Sequence, residues 1–279
     1  MKKWRGLRLV LALCALLLSA LPVLAGPAQA RGEQAQPALA QSALAQPGLV
    51  QIGVIDALLA GGYEGSVPVG QLPALGDIGL GTFDALDGEM VLLDGVVYQV
   101  PASGKVRRAD PGVTTPFAQV AQFRPGPALT LPADLGLKRL EGWLDATLGD
   151  TSLFGVVRVE GVFSTLKARS VPRQSPPYRP LAVVAKEQSV FEFTQVGGTL
   201  IGLRGPDYVR ALSVPGWHWH FLTQDRSQGG HVLDLTLRSG TARLANLRRL
   251  ELLLPEAGLG GLDLGRDRSQ ELKAVESAH

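Results

Sequence analysis

Three of the four histidines lie between residues 218 and 231, and this cluster constrains the fold more than any other feature. His218 and His220 are two residues apart, and side chains two apart on a β-strand point to the same face. The segment from Thr223 to Gly230 predicts a hairpin connection that returns His231 to the pair. Three imidazoles in one pocket would leave a metal ion an open position, which is typical of catalytic sites. Three unrelated histidines are the alternative.

The N-terminus has the pattern of a secretory signal peptide. Basic residues precede an apolar run from Leu9 to Leu24, and small-residue sites end at Ala25 and Ala30. We expect a signal peptide over residues 1–30, a secreted or periplasmic mature protein, and no membrane association after cleavage; an uncleaved signal anchor is the alternative. Cys14, the sole cysteine, lies in the apolar run, so histidine and carboxylate are the strong metal ligands of the mature chain.

Charge gives no support for nucleic-acid binding. Cleavage after Ala30 removes four basic residues and no acid, which lowers the basic count from 27 to 23 against 25 acids and moves the formal charge from +2 to −2.

Residues 31–49 are rich in Ala, Gln and Pro and are predicted to be a linker. Residues 50–279 then form the catalytic region, long enough to build a substantial core.

From Val50 onward the pattern predicts an α+β, sheet-dominated chain with few helices. Asp94-Gly95 between two apolar runs predicts a hairpin. Helices are expected over 54–60, over 132–148, where apolar residues recur at spacings of three and four, and over Ser269–Glu276. Further strands are expected over 116–123, 153–163, 164–171, 189–195, 199–203 and 243–254.

Six sequence blocks in this order carry a resemblance to the α-acetolactate decarboxylase family. The resemblance extends from about Ser42 to Glu276, and the combination is far more specific than any single block. The blocks are Gly76–Phe83, Leu86–Glu89, Thr115–Phe117, Arg169–Arg179, Gly216–Phe221 and Gly229–Asp234.

The resemblance implies a zinc-dependent carboxy-lyase that converts 2-acetolactate to acetoin and carbon dioxide, with zinc stabilising the enediolate intermediate. It implies His218, His220 and His231 as the Zn2+ ligands. The implied catalytic residues are Glu89, Arg169 and Glu276, and the implied substrate-binding residues are Thr82 and Arg169. The bridge from Pro255 to Glu276 is slightly shorter than the family pattern, and which glutamate transfers the proton stays open.

The resemblance also implies a homodimer and a two-part, β-rich architecture. An N-terminal mixed sheet is expected over about 50–165, and a smaller, barrel-like C-terminal part over 166–279 carries the three-histidine site. The alternative function is a secreted cupin-like or other β-rich metal- or sugar-binding protein without lyase activity. A cupin supplies a glutamate soon after the His pair, whereas the nearby acid here is Asp225.

Overall fold

The structure, a computed structural model, describes residues 46–256 and 258–276. The expected signal peptide and most of the expected linker lie outside this part of the chain. The linker prediction is wrong at its end, because Gly48 and Leu49 belong to the first strand, where they are buried between two neighbouring strands. No helix within the described ranges is long and apolar enough to cross a membrane.

The strands of the first half of the chain are short, and most of the long strands lie in the second half. In chain order they are β1 (Gly48–Ile52), α1 (Ile55–Leu59), β2 (Val67–Pro68), α2 (Leu72–Leu75), β3 (Ile78–Thr82), β4 (Glu89–Leu93), β5 (Val96–Val100), β6 (Arg107–Arg108), β7 (Thr114–Thr115), β8 (Ala118–Ala121), β9 (Leu129–Thr130), β10 (Leu135–Gly136), α3 (Leu137–Leu148), β11 (Phe154–Ser170), α4 (Leu181–Val184), β12 (Ser189–Gly205), β13 (Gly216–Thr223), β14 (Gly229–Leu247), β15 (Arg249–Leu253) and α5 (Ser269–Glu276).

The first sheet is mixed, as expected. Its seven strands follow the order β15-β1-β8-β3-β4-β5-β6, in which β1 and β15 pair in parallel and the other neighbours are antiparallel. Strands β1, β3 and β4 are buried along their whole length. Asp94 and Gly95 both have positive φ, which matches the predicted tight hairpin between β4 and β5.

The second sheet closes on itself. Strand β14 pairs with β11, β11 with β12, β12 with β13, and β13 with β14 again. This closure agrees with a barrel-like part, but the expectation that it is the smaller part is wrong. Its strands β11 and β12 have 17 residues each and β14 has 19, whereas no strand of the first sheet exceeds 5.

Several predicted strands prove to be continuous. The predicted strands 153–163 and 164–171 merge into the single strand β11, Phe154–Ser170, so the expected division near residue 165 falls inside it. Glycines at 197 and 198 interrupt the apolar pattern of β12 without breaking the strand, because Gly198 lets the ring of Phe221 approach the backbone. The predicted strand over 243–254 is divided at Arg248, and its second half joins the first sheet as β15.

The three predicted helices are present, but the predicted start of the second at residue 132 is wrong, because Leu135 and Gly136 pair with β14 as strand β10. Helix α3 begins at Leu137 and buries Leu140 and Leu144 against the second sheet. Helix α5 has the predicted bounds, and the side chain of Asp267 accepts a hydrogen bond from the backbone N–H of Ser269 at 2.9 Å. One apolar cluster contains residues of both sheets, so the two sheets share a core.

Gly202 on β12 allows a test of how closely the side chains of β13 pack against the backbone of β12. It lies opposite Trp219, and a Cβ at this position would overlap the indole ring. We expect Gly202→Ala to lower the free energy of unfolding by about 1–3 kcal/mol, measured by urea titration. Gly142→Ala is the matched control: Gly142 lies mid-helix with open space around it, so this change should stabilise the protein by about 0.5–1 kcal/mol. Equal effects of the two changes would contradict the close packing.

Candidate active site with a three-histidine centre

The hairpin of β13 and β14 brings the three histidines together, as the sequence predicts. His220 pairs directly with His231 across the hairpin, and His218 lies two residues before His220 on the same face. The potential ligand atoms of the three side chains all lie within 4.8 Å of one another. All three residues are buried, with exposed fractions of 7% or less.

The opposite face of β13 fixes the orientation of the histidines. The rings of Trp217 and Trp219 stack with centroids 4.8 Å apart, and their indole N–H groups donate to Asp145 and Glu141 on helix α3. Phe221 continues this face into the core beneath the second sheet. Rotating the strand would expose this aromatic face, so the histidines are held toward the interior.

The hydrogen bonds of the imidazoles leave one ring nitrogen of each histidine without a partner. His220 Nδ1 donates to the carbonyl of Met90 at 2.7 Å, so its Nε2 carries the lone pair. His218 Nε2 and His231 Nδ1 are 3.1 Å apart. Within the described ranges, His218 Nδ1, His220 Nε2 and His231 Nε2 are buried without a hydrogen-bond partner. A metal ion would satisfy such orphaned imidazole nitrogens, because neutral imidazole is a good metal ligand.

Burial keeps these histidines neutral. Burial, together with a smaller effect of the Arg169 charge, lowers the pKa of His218 to about 3. Burial likewise lowers the pKa values of His220 and His231 well below the ordinary value. Neutral imidazole is the form that binds metal, so the donor set fits a divalent ion that accepts nitrogen ligands.

Two carboxyl groups flank the histidines from different parts of the chain. Glu89 opens strand β4, and its Oε2 lies 3.6 Å from His220 Nε2. Glu276 ends helix α5, and its Oε2 lies 3.7 Å from His231 Nε2 and 3.9 Å from His218 Nε2. Burial raises the pKa of each glutamate to about 7, and the positive charge of Arg169 opposes both increases.

Arg169 connects Glu89 to the C-terminal helix. It lies on β11 directly opposite His231, and its side chain is 5% exposed. One terminal nitrogen donates to Glu89 Oε1 at 3.2 Å, and the other donates to the carbonyl of Val275 at 3.4 Å. The guanidinium therefore contacts both the first sheet and the C-terminal helix.

All of these groups except His220 line one cavity of about 40 Å³. The predicted residue Thr82 lines it, although its hydroxyl donates to the carbonyl of Gly88 at 2.7 Å. The polar wall is formed by the residues already described, and the opposite wall is apolar. The apolar lining residues are Ile55, Leu58, Leu86, Phe117, Val171, Leu181 and Val275.

The structure thus brings together every residue expected at the site, and it adds groups that the sequence did not indicate. The carbonyl of Met90 fixes His220, and a backbone acceptor has no signature in a sequence. Leu86 lies on the apolar wall with a positive φ of 57°, in the short turn before Glu89. Its strained backbone conformation is likewise not visible in the residue type.

The fold and the site together define a β-rich protein whose buried three-histidine centre, suited to a metal ion, lies beside two carboxyl groups and a guanidinium. The family model described as alpha-acetolactate decarboxylase matches residues 49–258. This chain belongs to the alpha-acetolactate decarboxylase family.

Individual relatives agree with this assignment. The chain is 46% identical over 223 residues to alpha-acetolactate decarboxylase of Methanosarcina mazei, a match that covers 80% of this chain and 77% of the relative. It is 41% identical over 202 residues to the Klebsiella aerogenes protein of the same name, covering 72% and 78%. The crystal structure of alpha-acetolactate decarboxylase from Bacillus subtilis strain 168 superposes with a TM-score of 0.80 at 30% identity, covering 82% of this chain and 99% of that one.

Replacing one histidine tests the three-histidine centre. We expect His231→Ala to lose most bound metal, because two imidazoles bind far more weakly than three, and elemental analysis of the purified protein measures this. Wild-type protein should release its metal in acidic buffer, since protons compete for the ring nitrogens. Full metal occupancy in the variant would contradict the assignment.

Proposed function

We propose that this chain is a zinc-dependent carboxy-lyase that decarboxylates 2-acetolactate to acetoin and carbon dioxide. Family membership supports the reaction. The single observation that carries the site assignment is that Glu89, Arg169 and Glu276 line one cavity together with two of the three clustered histidines, His218 and His231. His218, His220 and His231 would hold the zinc.

The groups present match the needs of the reaction. When bound, zinc would act as a Lewis acid toward the oxygen atoms of the substrate. Arg169 is the cation at the cavity, and its planar guanidinium can hold a carboxylate by two parallel hydrogen bonds. The apolar wall, which includes Leu86 and Phe117, would contact the methyl groups of the substrate and exclude water.

A glutamate must supply the proton that replaces the departing carbon dioxide. Both have a pKa of about 7, so each is divided between its acid and carboxylate forms at neutral pH, as suits a general acid. Glu89 accepts a hydrogen bond from Arg169, which stabilises its charged form. The side chain of Glu276 is 19% exposed, whereas that of Glu89 is 7% exposed, so Glu276 can regain a proton from solvent. We therefore assign proton transfer to Glu276.

The direct test is to incubate zinc-loaded protein with racemic 2-acetolactate and measure acetoin. We expect acetoin to form, with consumption of one enantiomer faster than the other in a chiral site. The control is His231→Ala protein at the same concentration. Absence of acetoin from fully metal-loaded wild-type protein would refute the proposal and favour a β-rich metal- or sugar-binding protein.

Two further properties are part of the proposal. We propose export, supported by the leader pattern of residues 1–30, and N-terminal sequencing of the mature protein would show cleavage after Ala25 or Ala30.

We also propose a homodimer. Strand β15 is one of the two edge strands of the first sheet, and Leu250 within it and Leu254 after it are exposed, which could support pairing with a second copy. Light scattering measures the molar mass of the mature protein in solution, which distinguishes a dimer from a monomer.

Arg169→Lys tests the role of the guanidinium. Lysine keeps the positive charge but cannot form two parallel hydrogen bonds, so we expect kcat/KM to fall about 10- to 100-fold through loss of substrate orientation. Zinc content should remain that of the wild type, because Arg169 is not a ligand. Steady-state kinetics and elemental analysis measure the two effects, and unchanged kinetics would remove Arg169 from the site.

Glu276→Gln tests the assignment of the proton donor. Glutamine preserves the size of the side chain but carries no exchangeable acid proton, so kcat should fall by about two to four powers of ten. Removing residues 277–279 alone is the control and should leave turnover nearly unchanged. If Glu276→Gln is fully active, proton transfer belongs to Glu89, and Glu89→Gln should then show the larger loss.

A further inference from the structure

We propose that Arg268 is a positioning residue for this reaction: it fixes the base of helix α5 so that Glu276, at the other end, stays against the histidines. The inference rests on the proposed function, because it requires that Glu276 act in the site. It concerns the segment after residue 258, which lies beyond the region that the family model matches.

Helix α5 needs more than apolar packing to hold its position. Leu272 and Val275 pack in a core cluster with Ile55 and Leu58 of helix α1. Apolar contacts are non-directional, so they bury this face of the helix without fixing its tilt. Near Glu276, the carbonyl of Val275 accepts a hydrogen bond of 3.4 Å from Arg169, which is a long contact.

Arg268 supplies directional contacts at the opposite end. It directly precedes the helix and is 7% exposed. One terminal nitrogen donates to the carbonyl of Asp263 at 2.7 Å, and the other donates to Glu271 Oε2 at 3.3 Å. The backbone carbonyl of Arg268 also accepts the N–H of Leu272 at 2.9 Å. This one residue therefore ties the preceding loop to the first turn of α5.

The charge of Arg268 also relates α5 to helix α1. Asp56 in the first turn of α1 is buried, and both residues line the groove beside α5. Burial raises the pKa of Asp56, and the positive charge of Arg268 opposes this increase. A buried guanidinium is costly unless such partners compensate it, so Asp56, Glu271 and the carbonyl of Asp263 together hold Arg268 in this position.

Because of the length of the helix, a small change of tilt at its base displaces Glu276 at its other end. Glu276 is eight positions after Arg268, which corresponds to about 12 Å at about 1.5 Å per residue. A tilt of about 5° at the base would move the carboxyl group by about 1 Å over that length. A misplacement of about 1 Å is enough to slow a positioned reaction by about 100-fold.

The same segment offers a matched control. Arg266 pairs with the same Glu271, at 2.6 Å, but its side chain is 61% exposed. Exposed ion pairs contribute little, because solvent screens them and both side chains lose conformational freedom. Arg266→Ala should therefore leave turnover close to that of the wild type, although it removes an arginine from the same loop.

The experiment is a double-mutant cycle on the full chain loaded with zinc, with acetoin formation as the assay. Arg268→Ala should lower kcat about 10- to 100-fold while zinc content and KM stay near wild-type values. The double variant Arg268→Ala/Glu276→Gln should be no more than about twofold slower than Glu276→Gln, because a residue that acts through Glu276 has nothing left to position. Multiplicative losses, or a silent Arg268→Ala, would overturn the proposal.

Arg268→Lys keeps the test decisive if the alanine variant does not fold. It retains the charge near Asp56 but cannot donate as a fork to Asp263 and Glu271, so an intermediate loss of kcat is expected, again absent in the Glu276→Gln background. Thermal unfolding of each variant identifies a loss due to instability. Wild-type protein that makes no acetoin would refute the proposed function; an active wild type with multiplicative losses would refute only the role of Arg268.

Discussion

The pairing of His220 with His231 across the β13–β14 hairpin is the constraint on which the rest of the site depends. It closes the ring of strands β11, β12, β13 and β14, and the same register buries the three imidazoles. Arg169 lies opposite His231 in the next strand pair, so its position follows from this register as well. A slip of one residue would exchange the histidine face for the tryptophan face and dismantle the centre.

The electrostatics of the cavity follow from burial. Three imidazoles without charge, two glutamates with a pKa of about 7 and one guanidinium occupy a volume that holds little water. Arg169 opposes the increase in both glutamate pKa values, yet burial is the larger effect. Burial in a small cavity therefore supplies neutral ligands for a cation and brings the pKa values of both carboxyl groups near neutral pH.

Local patterns in the sequence predicted the local parts of this structure. The two-residue spacing of His218 and His220 and the Asp94-Gly95 turn have short-range causes, and both features are found. The extent of β12 could not be predicted, because Gly198 interrupts the apolar pattern only to admit the ring of Phe221 from a neighbouring strand. The pairing of β15 with β1 in the first sheet could not be predicted either, because it depends on tertiary packing. Glu276 was expected at the site through family resemblance alone, since its local pattern is that of an ordinary helix end.

The site unites groups that are distant in the chain, and the C-terminal helix is held beside it at both ends. Glu89 comes from the first sheet, Arg169 and the histidines from the second, and Glu276 from the last helix. Only the two ends of α5 must be fixed for Glu276 to reach the histidines, and the contacts of Arg268 and Arg169 lie at those ends. The bridge after β15 can then change in length without moving the carboxyl group, because the anchors, rather than the bridge, determine where the helix lies.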